Sequence, residues 1–96
     1  MSWARTAPLR LTAPTRLTVG VAAVRQDPGS SCHGVLIKAL CPGEVIYLGA
    51  SAAVTTATGW PLADGDVLDI QVKQTSDLWF IASAGGQTIA LLPYAL

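Results

Sequence analysis

Few residues in this 96-residue chain could do chemistry. The one histidine, His33, stands beside Cys32, and the only other cysteine is Cys41. A zinc site needs a full tetrahedral ligand set with its cysteines closely spaced. Cys32, His33 and Cys41 offer neither the count nor the spacing. Asp64, Asp66 and Asp69 superficially resemble a calcium loop, yet Gly65 separates the first two and no bidentate acid follows at the loop spacing. Turn and strand-surface roles suit them better. A hydrolytic triad needs a base beside a Ser or Cys. The lone histidine would have to serve, and Gly29-Ser-Ser31 lacks the glycine pattern of a nucleophile elbow. Gly85-Gly86 is followed by no helix and cradles no phosphate. The chain is therefore expected to be non-enzymatic, with no metal and no cofactor. Trp60, beside Pro61 on an expected loop, is the candidate recognition platform, since an indole can stack on a sugar ring. Its other reading is packing on the end of its own domain.

Composition points to assembly. Hydrophobic residues make up 51% of the chain and charged residues 12%, against a usual charged share of about 25%. A small domain has much surface for its volume and should need more polar residues than average. A surplus of apolar residues implies that some of them face a partner. No apolar run approaches the roughly 18 residues that span a bilayer, and Met1-Ser-Trp-Ala-Arg5 has no apolar signal core, so no membrane partner is expected. Charge is unevenly placed. Arg5, Arg10, Arg16 and Arg25 give residues 1–26 a charge of +4, while Lys38 and Lys73 against six acids leave the remainder at −4. Four scattered arginines make a thin footprint for phosphates. An acidic surface on a neighbouring subunit fits them better than nucleic acid.

The elements expected to carry these residues are strands. Residues 1–16 hold Pro8 and Pro14 and no sustained period, which favours an extended arm. Trp3 is its anchor, and Arg5, Arg10 and Arg16 are its charged contacts. Residues 17–96 form the β domain. Alternating apolar residues predict strands over Leu17–Ala23, Gly34–Leu40, Glu44–Gly49, Val67–Lys73, Leu78–Ser83 and Thr88–Leu92, with a short threonine-rich strand over Ser51–Thr58. Cys41-Pro-Gly-Glu44 and Asp64-Gly-Asp66 read as turns, and Ala84-Gly-Gly-Gln87 as a hairpin connection. Seven to eight short antiparallel strands without a helical period mean an all-β fold, a β-sandwich or small barrel. The expected core is Val19, Val21, Val35, Ile37, Val45, Tyr47, Leu68, Ile70, Val72, Phe80, Ile89 and Leu91. Trp79, mid-strand, belongs to core or subunit interface. The strand between Cys32 and Cys41 holds their sulfurs roughly 30 Å apart at about 3.3 Å per residue. A disulfide needs Cα atoms within about 7 Å, so both thiols are expected free, as in a protein made in reducing cytosol.

Four stretches carry a family resemblance: Gly34-Val-Leu-Ile-Lys38, Val45-Ile-Tyr-Leu-Gly49, Thr58-Gly-Trp-Pro-Leu-Ala-Asp-Gly-Asp66 and Leu78-Trp-Phe-Ile-Ala-Ser-Ala-Gly-Gly-Gln87. Together they resemble a recurring module of small tailed-phage virion proteins, some of them similar to capsid cement (decoration) proteins or head-fibre bases. The resemblance spans about residues 33–92, carries Asp66 where the pattern often has Glu, and leaves the arm uncovered. It implies a virion subunit made in the host cytoplasm and placed on the capsid surface. The implied partners are the major capsid protein and copies of the chain itself, with a homotrimer first in view. A tail or fibre module that recognises host glycans through Trp60 is the alternative.

Overall fold

The computed structural model describes residues 10–95. Trp3 and Arg5, and the greater part of the expected arm, lie outside them. Nine strands run in chain order: β1 Arg10–Leu11, β2 Thr15–Val19, β3 Val24–Arg25, β4 Gly34–Leu40, β5 Val45–Gly49, β6 Trp60–Ala63, β7 Val67–Ile70, β8 Trp79–Ala82 and β9 Gln87–Ala95. A single 3-10 turn, Thr75–Asp77, precedes β8. The strands form two antiparallel sheets packed face to face, so the chain is an all-β sandwich. The first sheet has the order β1-β9-β4-β7, with β2 also on β9; the second has the order β3-β8-β5-β6. No helix among the described residues is long and apolar enough to cross a membrane.

Alternation explains the core. In β4, Val35, Ile37 and Ala39 point between the sheets and are buried, while Leu36, Lys38 and Leu40 point away. Ile89 and Leu91 of β9, Val19 of β2, Ile46 of β5, Leu62 of β6, and Phe80 and Ala82 of β8 complete the buried cluster. Burying each large side chain contributes about 1.5–3 kcal/mol. Of the expected core, Val21 is instead 70% exposed in the crossing from β2 to β3. Val45 and Tyr47 are half-buried on the outward face of β5, whose inward residues are Ile46 and, partly buried, Leu48. Leu68, Ile70 and Val72 are partly buried at the margin of the cluster.

The strand bounds also moved. Residues 10–16 run beside β9: Arg10 pairs with Ala95, Thr15 with Leu91 and Arg16 with Ala90. Between the two pairings stands Pro93 of β9, which has no N–H to offer a neighbour. Its carbonyl accepts the Thr12 N–H and hydroxyl, each at 3.0 Å, and the ladder breaks there into β1 and β2. The strand expected over Val67–Lys73 stops at Ile70. Trp60 and Pro61 belong to strand β6, not to a loop. Proline is tolerated there because β6 is an edge strand.

Ser51–Thr58 forms no strand. Its hydroxyls serve the local backbone: Ser51 Oγ accepts the Ala53 N–H at 3.2 Å, and Thr58 Oγ1 accepts the Thr55 N–H at 3.0 Å. Such side-chain bonds compete with a ladder. Nor is 84–87 a hairpin, since β8 lies in the second sheet and β9 in the first. The turn after Cys41 likewise carries the chain from the first sheet to the second. Among consecutive strands, only β5 and β6 pair with each other.

Candidate functional site

The outward face of the first sheet is apolar across its middle. Register aligns Leu36 with Leu92 on one side and Asp69 on the other, and Lys38 with Ala90 and Val67. Pro14, Leu36, Val67, Ala90 and Leu92 line a shallow groove of about 190 Å³, with Lys38 between Ala90 and Val67 as its one charged residue. Val67 is 61% exposed, and Leu11, beside Tyr94, is 59% exposed. Arg16 is exposed next to Ala90, and Arg10 next to Ala95. Arg16 thus borders this face, whereas Arg10, aligned with Ala95, has the opposite phase.

The outward face of the second sheet is also apolar. Tyr47 pairs with Pro61 and Ile81, and Gly49 pairs with Trp79. The Arg25 guanidinium lies 5.1 Å from the centre of the Trp79 ring, within cation–π range. Trp79 is thus half-buried on a surface, and Phe80 next to it holds the core.

Trp60 stands at an open side of the sandwich, where β6 of one sheet and β7 of the other form adjacent edges. It is 65% exposed. With Leu48, Ile70, Val72 and Leu78 it lines a cleft of about 360 Å³ whose one charged residue is Asp77. Behind it, Val54 holds the 50–59 loop against β5. A side chain at Gly49 would collide with Val54, and one at Gly59 would collide with Tyr47 and Val54. The sequence marked Trp60 but missed Val54 and its two glycines. Two glycines flanking a run of small residues were the available signal.

The remaining polar candidates are dispersed. Asp64 Oδ1 accepts the Cys41 N–H at 2.9 Å, and Asp66 Oδ2 accepts the Ala63 N–H at 2.8 Å. The Tyr94 hydroxyl donates to Asp69 Oδ1 at 2.7 Å. The three acids thus have three separate local partners. His33 gives its backbone N–H to the Tyr94 carbonyl at 2.8 Å. Cys32 and Cys41 are free, at opposite ends of β4. Burial pushes both thiols up, with Asp77 adding to it at Cys32 and Asp64 at Cys41. The hydrogen bond to Asp69 raises Tyr94, with burial next in importance. Among the described residues no three His, Cys, Asp or Glu side chains converge as a metal site. The arrangement is suited to contact with apolar surfaces.

Comparison with protein-family models, with curated proteins and with solved structures finds no match to the chain.

Proposed function

We propose that the chain is a non-enzymatic virion subunit that binds and stabilises a phage capsid shell as a cement protein, through contacts with the major capsid protein and with copies of itself. The observation that carries this reading is the placement of the apolar surplus. Leu36, Val67, Ala90 and Leu92 lie on the outside of one sheet, interrupted by Lys38 and Asp69, and Tyr47, Pro61, Trp79 and Ile81 on the outside of the other. A sandwich facing only water would carry polar residues at these alternating positions. Binding an assembled lattice better than its free subunits stabilises the lattice by mass action. The resemblance of residues 33–92 to tailed-phage virion modules supports the same reading, with a homotrimer as the working assembly.

Glycan recognition on a tail or fibre is a second reading, favoured by the exposure of Trp60. It is the weaker of the two, because sugar hydroxyls need several polar partners and the cleft beside Trp60 offers Asp77 alone as a charged one. Copy number in purified particles separates the two. A number on the scale of the shell's capsomers supports cement, and a few copies per particle overturns it. Adding the purified chain to particles lacking it should raise their resistance to heat.

A further inference from the structure

Among the described residues, edge strand β7 is paired on one side only. β4 pairs with it there, in the register Val35↔Ile70 and Ile37↔Leu68. At the start of β7, the Ala39 N–H donates to the Asp66 carbonyl at 3.0 Å and the Gly65 N–H to the Ala39 carbonyl at 2.8 Å. Antiparallel bonding alternates along a strand. Ala39 and Asp66 therefore make one bonded pair, Ile37 with Leu68 and Val35 with Ile70 the next two. The backbone groups of Val67 and Asp69 consequently face away from the sheet. Such an edge is a template for another extended segment. Any strand added there has its inward side chains over the apolar cleft between Trp60, Ile70 and Val72.

We propose that β7 accepts residues 2–7 of a second copy of this chain, Ser-Trp-Ala-Arg-Thr-Ala, as an added antiparallel strand. The segment is free of proline, so it has a donor at every position. Trp3 and Arg5 are two residues apart and share a face in an extended chain. Trp3 fills the cleft against Trp60, Ile70 and Val72, and Arg5 approaches Asp77. Charge agrees, since residues 1–26 carry +4 and the remainder −4. The direction of the exchange follows from sheet order. The described chain begins at β1, on the edge of the first sheet opposite β7. An arm leaving one edge and docking on the opposite edge of the next copy is a head-to-tail contact, which closes into a ring where the rotation between copies allows and otherwise propagates as a filament. Main-chain bonds supply affinity and the side-chain pocket supplies specificity, as in other strand additions. The inference rests on the self-association in the proposed function, and needs no capsid.

The test uses full-length chains in analytical ultracentrifugation. Trp3→Ala should weaken self-association by roughly 30-fold or more, the scale of a buried aromatic anchor. Val67→Pro should do the same by removing an outward donor without loss of a bond to β4, with circular dichroism confirming that it stays folded. Mixing the two variants should restore a two-subunit species, since one good arm and one good edge remain. A backbone readout runs beside it. The amides of Val67 and Asp69 should be protected from hydrogen exchange in the parent chain and lose that protection in Trp3→Ala. Four results overturn the proposal: a parent chain that stays monomeric, association unmoved by both variants, a mixture that stays monomeric, or protection present in a monomer. The last would mean that the arm docks on its own chain. Shell binding is scored separately on particles, so either idea can fail alone.

Discussion

The Tyr94 hydroxyl reaches across β4 to Asp69 in β7, and its ring lies over Gly34 on the way. The bond is 2.7 Å long. Tyr94 and Gly34 are register partners, and a Cβ on Gly34 would overlap the Tyr94 ring and hydroxyl. Glycine is needed here for space and not for backbone shape.

Gly34→Ala should therefore destabilise the sandwich by about 1–3 kcal/mol, the usual range for overpacking. Pairing it with Tyr94→Ala should recover much of the loss, as expected for residues in contact. Urea unfolding of the two single variants and the double variant checks this.

Tyr94 itself should titrate high. Its hydrogen bond to Asp69 favours the neutral phenol, as burial also does. Because the folded-state value lies above the unfolded one, this contribution to stability is complete below the ordinary tyrosine range and disappears as pH rises through the raised value. In a Tyr47→Phe background, ultraviolet titration should show one late phenol, and Asp69→Asn should bring it down.

The two thiols should react slowly and unequally. Both are raised, so little thiolate exists near neutral pH. Cys41 is wholly buried, whereas Cys32 is half-exposed. Alkylation without reductant should label Cys32 first and Cys41 only on unfolding, read by mass spectrometry. An unlabelled pair under denaturing conditions would contradict the free-thiol assignment.

Leu36→Lys should separate folding from attachment. Leu36 points outward from a central strand, and outward substitutions usually change stability little, within about 0.5 kcal/mol. The melting temperature should stay near that of the parent, while binding to particles falls sharply. Phe80→Ala is the contrast, because it removes a fully buried ring and should cost about 3–5 kcal/mol.

The sequence revealed strands better than it revealed sheets. Alternation in Gly34–Leu40 marked β4 and its inward residues correctly, because one face of that strand is dry. In Val45-Ile-Tyr-Leu, every residue is apolar, so alternation carried no phase and Ile46 was missed as an inward one. Gly85-Gly86 announced a reversal of the chain, yet a reversal within a sheet and a crossing between sheets use the same residues. Only the pairing of Ile89 with Leu17 and Ala39 resolves which occurred. At the site, Trp60 stands out beside Pro61, but the sequence does not tell exposure from packing on its own domain, nor that the residue lies in a strand. The cleft beside it was not legible, since Ile70, Val72 and Leu48 come together only through packing of the two sheets.

Strand β9 joins β1, β2 and β4 into one sheet, and it is the last of the nine to leave the ribosome. Until it emerges, β4 lacks its main neighbour and the earliest strands have no partner at all. Apolar segments made first must wait for the one made last. The sandwich therefore forms after nearly the whole domain has been synthesised, and dominance of distant pairings makes such folding slow. A chain that lacked Gln87 onward would leave β4 and β5 as loose, sticky strands, with the apolar faces that β9 covers still open.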